Sequence, residues 1–141
     1  MSDTATPKLK KFARQLLAHE AASGNPVDAK DSEAFRACEK LRGPLGKLIG
    51  IGGFRSLLSR ALALGGKEVP WLRALQIKAD GSLEGLGAKL DSGEAAGGEI
   101  VLMAQLVGLL VTFIGSELTL QLLHDIWPKI DDHNFRREET L

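Results

Sequence analysis

The chain has 141 residues, of which 44% are hydrophobic and 26% charged, and its 18 basic residues balance 18 acidic ones. This composition is typical of one ordinary globular domain and excludes a collagen, a disulfide-stapled scaffold and a long disordered chain. Cys38 is the only cysteine, so no internal disulfide can form. The first residues are polar and lack the pattern of a secretory signal, and we expect a cytoplasmic protein.

The first predicted element is a helix over residues 7–22. Thr6 is a suitable N-cap because it directly precedes Pro7, a residue that fits the first helical position. Gly24 and Pro26 form a stop signal after the helix. Apolar residues recur at three- and four-residue steps and therefore share one face of this helix: Leu9, Phe12, Ala13, Leu16 and Leu17.

The next apolar stripe predicts a second helix that begins around residues 31–32. Pro44 follows a glycine inside this stripe and predicts a kink or a break, because proline removes a helical hydrogen bond and clashes with the preceding turn. Three glycines in residues 50–53 predict a turn. A further helix is expected over residues 54–64, and the glycines at 65–66 are expected to end it.

A small β-hairpin is predicted over about residues 74–86. Leu75 and Ile77 alternate with polar residues, and Asp80–Gly81 then supplies a turn that needs positive φ angles. A two-stranded hairpin is barely stable alone, so it must lie on the helices or pair with another copy. Residues 87–98 are rich in glycine, alanine and charge, which indicates a loop that leads into the next helix.

The C-terminal half contains one long predicted helix over residues 99–127, which ends at Pro128 and has a candidate bend at Gly115–Ser116. Residues 100–114 carry no charge, and a helix that is apolar all round is central either to a core or to a membrane. We expect the core role, with membrane insertion of residues 100–116 as the alternative, because the stretch is near the lower limit for a span. Residues 129–141 are highly charged and are expected to form a tail.

The predicted fold is therefore a mainly α, single-domain bundle of four to five helices over residues 1–128, built around the apolar helix and carrying one small hairpin. Gly108 and Gly115 lie seven residues apart and close to the same face of that helix. Glycine inside a helix lowers stability, and close approach of another helix would offset this. We therefore expect a homodimer that uses these two glycines, with the hairpin edge as a candidate second contact.

The charge is divided unequally along the chain. Residues 1–73 hold 13 basic and 7 acidic residues, whereas residues 74–141 hold 5 basic and 11 acidic ones. The favoured interpretation of this division is that the two halves fold against each other and interleave their charges on one surface, with head-to-tail self-association as an alternative. For a partner we predict a basic helical face that binds an acidic protein, with DNA binding by the basic half as a further alternative. The expected interaction residues are Arg36, Lys40, Arg55 and Arg60.

No pattern in the sequence predicts catalysis, a cofactor or a metal site. Gly66–Lys67 resembles the end of a phosphate-binding loop, but the motif fails at two positions. Ala61 stands where the first glycine is required, and Glu68 stands where the motif requires Ser or Thr. Glycines 50–53 could hold an anion before a helix, although an interhelical turn is the favoured interpretation. Cys38 lies on an apolar stripe and is expected to be a buried thiol.

A loose group of histidines and acids near the C-terminus has no regular ligand spacing and is interpreted as a solvated acidic end. Its members are His124, Asp125, Asp131, Asp132 and His133. A carboxylate pair that only the fold brings together remains an alternative. The sequence thus predicts a small non-enzymatic interaction or regulatory protein without a cofactor.

Overall fold

The structure is a computed structural model that describes residues 7–23, 33–84 and 92–130. It confirms a mainly α bundle with one small antiparallel hairpin. Pro70–Ala74 forms a short 3₁₀ helix before the hairpin. The helices and strands are α1 (Pro7–Ser23), α2 (Glu33–Glu68), β1 (Gln76–Ile77), β2 (Leu83–Glu84), α3 (Ser92–Ile114) and α4 (Ser116–Ile126).

Helix α1 agrees with the periodicity that predicts it. Its apolar stripe is buried throughout, from Leu9 to Leu17, while Lys11 and Arg14 on the opposite side are exposed. This division is the expected one for a surface helix with one face on the core. The predicted cap at Thr6 and the stop signal at residues 24–26 lie outside the described residues.

Helix α2 is bent at Gly50, whose φ of 82° and ψ of 157° are not helical. That conformation is essentially restricted to glycine, which explains why a turn forms within residues 50–53. The predicted break at Pro44 is wrong, because helical backbone angles continue through it. The buried Leu41 and Leu45 hold both sides of the proline on the core, while Pro44 itself is exposed to solvent.

The two halves of α2 run in opposite directions beside α3. The N–H of Ala34 donates to the Glu99 carboxylate at 3.1 Å, which places the start of α2 at the N-terminal part of α3. Gly65, near the end of α2, packs on Val101, close to the same part of α3. Since both ends of α2 meet one end of α3, α2 is a helical hairpin folded at Gly50.

The glycines at 65–66 do not end the helix, which contradicts the predicted stop. Helix α2 continues to Glu68 and ends just before Pro70. Gly65 is buried, and a Cβ atom there would lie 2.8 Å from the Leu72 side chain. The glycine therefore permits close packing of the 3₁₀ helix against α2 rather than a helix stop.

Helix α3 is the centre of the bundle. Residues 101–110 are all buried, and α3 packs against α1, α2 and α4. The predicted loop over 87–98 is wrong for residues 92–98, which are helical, and residues 87–91 lie outside the described residues. The bend expected at Gly115–Ser116 is a full break, because Gly115 has a φ of 89° and the single helix over 99–127 becomes two helices. The positive φ turns the chain, so that α4 folds back as a separate helix.

The hairpin pairs Gln76 with Glu84 and Ile77 with Leu83. Its loop closes through the Lys78 N–H, which donates to the Ser82 carbonyl at 2.8 Å, and through Gly81 with a φ of 90°. This connection is longer than a two-residue turn, yet it uses the predicted glycine for the positive φ. The hairpin lies on α2, because a Cβ atom at Gly81 would lie 2.9 Å from the Ile51 side chain.

Candidate binding site: a basic groove between α2 and β1

The predicted basic face is divided between the two halves of α2. Arg36 and Lys40 lie on the first half, where both contact the carboxylate of Glu20 at 3.2 and 2.8 Å. The Glu20 side chain is only 1% exposed, and it also accepts a hydrogen bond from the Trp127 Nε1–H at 3.0 Å. A buried carboxylate requires such partners. Arg36 and Lys40 therefore stabilise the fold.

This carboxylate cluster joins three parts of the chain. Glu20 comes from α1, Arg36 and Lys40 from α2, and Trp127 from the residues directly after α4. Arg36 and Lys40 share a face because they are four residues apart on one helix. The cluster thus closes one side of the bundle, and it leaves little of Arg36 available for a partner, since that side chain is 13% exposed.

Arg55 and Arg60 lie on the second half of α2 and are exposed. Arg55, Ser59, Ala63 and Lys67 follow one another at four-residue steps, which places them along one helical face. This face forms a wall of an open groove of about 790 Å³, which we call the basic groove. The groove is lined by Arg55, Ser59, Leu62, Ala63, Lys67, Arg73, Leu75, Gln76 and Ile77.

Among the described residues, the lining of the basic groove contains three positive side chains and no carboxylate. Within the described part of the chain, Arg55, Lys67 and Arg73 have no ion pair. A smaller hollow of about 590 Å³ adjoins it and adds Arg60 beside Arg55. A concave surface that is lined by one sign of charge attracts ligands of the opposite sign. The groove is therefore suited to an anionic group.

Two of these cations were not among the predicted site residues. Lys67 and Arg73 were missed because the glycines at 65–66 were expected to end the helix before them. Lys67 lies four residues after Ala63, and this spacing places it on the groove-lining face of the helix. The spacing has this meaning only if the helix continues to Glu68, as α2 does. Arg73 has no such signal, since it reaches the groove from the 3₁₀ helix. A Cβ atom at Gly66 would clash with the Arg73 side chain, so this glycine leaves room for it.

The two glycines predicted for self-association occupy different environments. Gly108 is buried inside the single chain, whereas Gly115 is exposed at the break between α3 and α4. They therefore do not form one exposed helical face. Among the described residues, the large exposed apolar side chains lie near the two helix breaks instead, and they are Leu48, Ile51, Phe113 and Leu118.

Cys38 is buried, in agreement with its place on the apolar stripe. Burial, with smaller contributions from the negative charges of Glu39 and Glu99, raises the pKa of its thiol from 9.0 to about 12. The thiol is therefore protonated and shielded at neutral pH, which does not suit a nucleophile.

Within the described residues, no group of three His, Cys, Asp or Glu side chains is placed to hold a metal ion. Of the loose C-terminal group, only His124 and Asp125 lie in this part of the chain. Asp131, Asp132 and His133 lie outside it.

Two described helices are long and apolar enough to cross a membrane by length and composition, namely α2 over Ala34–Glu68 and α3 over Gly97–Ile114. Two thirds of the apolar window in α3 is buried inside the chain. That burial is typical of a core helix, although a soluble core helix and a membrane span meet the same two criteria.

The sequence matches no protein-family model, and neither a curated protein nor a solved structure is significantly similar to it. The function is therefore inferred from the geometry of the basic groove.

Proposed function

We propose that this protein is a small, non-enzymatic interaction protein whose basic groove binds an acidic segment of another protein. The observation that carries the proposal is the set of three cations, Arg55, Lys67 and Arg73, that line one groove whose other described lining residues include no carboxylate. Like charges that are held together destabilise a fold slightly, and an anionic partner would relieve that repulsion.

The apolar part of the groove favours a protein partner over a nucleic acid. Leu62, Leu75 and Ile77 lie between the cations and provide contacts for apolar side chains. Single-stranded nucleic acids are bound through aromatic side chains on which the bases stack, and none of the described residues that line this groove is aromatic. A peptide that carries both carboxylates and apolar residues complements both parts of the surface.

Fluorescence anisotropy with a labelled synthetic peptide tests the proposal. The probe is a heptapeptide with alternating glutamate and valine, and the variant is Arg55→Glu combined with Arg73→Glu. We expect this double charge reversal to weaken binding at least tenfold. Lys47→Glu is the matched control, because Lys47 is also an exposed cation of α2 but lies outside the groove. Binding that is absent, or equally weakened by the control, contradicts the proposal.

Self-association stays a prediction, and it is tested at an exposed apolar side chain instead of at Gly108 and Gly115. The mass in solution by light scattering distinguishes a chain of 15.1 kDa from a dimer of twice that mass. Phe113, which is 61% exposed near the end of α3, is the side chain to change. If a dimer buries this region, Phe113→Asp gives a monomer, and a dimer that survives the change uses another surface.

The membrane alternative is tested by the same preparation. A protein that inserts residues 100–116 into lipid must unfold the packing that buries residues 101–110. A monodisperse protein purified without detergent supports the core role of α3. Aggregated protein that detergent disperses supports insertion.

A further inference from the structure

Strand β1 has one paired edge and one unpaired edge. The sheet contains only β1 and β2 within the described residues, so β1 has a neighbouring strand on a single side. The basic groove is lined by Leu75, Gln76 and Ile77, but by no residue of β2. The unpaired edge of β1 therefore borders the basic groove.

The register of the hairpin determines which backbone groups face the groove. The Lys78 N–H donates to the Ser82 carbonyl, so the backbone groups of residue 78 point towards the partner strand. In an antiparallel pair the direction alternates from one residue to the next. The N–H and C=O of Ile77 consequently point to the unpaired edge. Unpaired edges of this kind are templates for an added strand.

We propose that the acidic segment binds in an extended conformation and adds to β1 as a third strand. This inference rests on the proposed function and specifies how the partner is held. Backbone hydrogen bonds to Ile77 would fix the register, and the acidic side chains would meet the cations of the opposite wall. Charge complementarity selects an acidic occupant, because the part of the groove that the structure describes is lined by three cations and no carboxylate.

The spacing of the cations sets the length of the segment. Arg55 and Lys67 are twelve residues apart, which corresponds to about 18 Å along a helix. A strand that runs along the groove covers this distance in about six residues. Arg73 lies near Lys67, because its side chain fills the space above Gly66. We therefore expect the bound segment to place two carboxylates near Lys67 and Arg73 and one carboxylate near Arg55.

N-methylation of the peptide backbone tests the added strand. Alternate N–H groups of a strand point in opposite directions, so methylating the valine nitrogens of the glutamate-valine heptapeptide removes one set of donors, and methylating the inner glutamate nitrogens removes the other. We expect one of the two methylated peptides to bind at least tenfold more weakly and the other to bind as the parent does. Amide hydrogen exchange at Ile77 should slow when the parent peptide is added.

The possible results separate this inference from the proposed function. If both methylated peptides bind as the parent does and binding still requires Arg55 and Arg73, the added strand is wrong while the acidic-partner function stands. If the parent peptide does not bind, both are wrong. If an oligothymidine displaces the parent peptide at lower concentration than unlabelled peptide does, the partner is a nucleic acid and both are overturned.

Discussion

The buried carboxylate of Glu20 is the most specific prediction of how this fold is stabilised. Replacing Glu20 with alanine leaves the Arg36 guanidinium, which is 13% exposed, without the carboxylate that it contacts at 3.2 Å. It also leaves the Trp127 Nε1–H without its acceptor. Removing one partner of a fully buried pair costs about 3–5 kcal/mol, and an unsatisfied buried donor costs about 1–3 kcal/mol.

The expected loss is smaller than the sum of these values, because water reaches part of the cluster. Lys40 is 41% exposed and can be solvated when its partner is lost. We therefore expect Glu20→Ala to lower the free energy of unfolding by about 3 kcal/mol. For a chain of this size that loss lowers the melting temperature by about 10 °C.

Urea unfolding followed by far-UV circular dichroism measures this loss, and Glu68→Ala is the matched control. Glu68 also forms an ion pair between two helices, with Lys10, but both side chains are substantially exposed. Exposed pairs contribute about 0–1 kcal/mol. Equal losses for the two variants would refute the structural role of the cluster, and Arg36 and Lys40 would again be candidates for partner binding.

Three further predictions test other parts of the structure. Gly98→Ala should destabilise the fold and shift tryptophan emission, because a Cβ atom there would lie 2.8 Å from Cε2 of Trp71. Gly97→Ala should instead raise the free energy of unfolding by about 0.5–1 kcal/mol, because a Cβ atom at Gly97 meets open space. Denaturant unfolding of both variants checks that the two changes have opposite signs. Gly50→Ala should cost about 1–3 kcal/mol in the same assay, because alanine rarely adopts its backbone angles. Burial raises the pKa of Cys38, so the folded chain keeps the thiol proton above pH 9 while the unfolded chain releases it. The free energy of unfolding should therefore fall by up to about 1.4 kcal/mol per pH unit between pH 9 and 12. Unfolding measured at a series of pH values checks this fall, which should be smaller in Cys38→Ala.

Glycines explain most of the differences between the predicted and the observed helices. The sequence alone predicts the same thing at three glycines, namely that a helix can end there. They are Gly50, Gly65 and Gly115. Two of them turn the chain with a positive φ and have no atom within 4 Å of a Cβ position. Gly65 stays helical because Leu72 and Val101 pack against it. Only the tertiary neighbours distinguish these cases, and they are not adjacent in sequence.

The hydrophobic pattern was a better guide, because it reports on the core directly. The apolar run over residues 100–114 predicted a central helix, and residues 101–110 are buried on all sides. The face of α1 was predicted for the same reason. Periodicity specifies which side of a helix is buried, whereas it does not specify which element covers that side.

The role of each cation depends on a carboxylate elsewhere in the chain. Arg36 and Arg55 look alike in sequence, as exposed-type residues on two predicted helices. Arg36 contacts the carboxylate of Glu20, which lies sixteen residues earlier in the chain. The same carboxylate accepts a hydrogen bond from Trp127, which lies 107 residues after Glu20. On the second half of α2 no basic side chain has an ion pair among the described residues. The bend at Gly50 produces this difference, because it turns one half of the helix towards the α1 carboxylate and the other half towards β1. The basic groove is therefore a consequence of the same bend that makes α2 a hairpin.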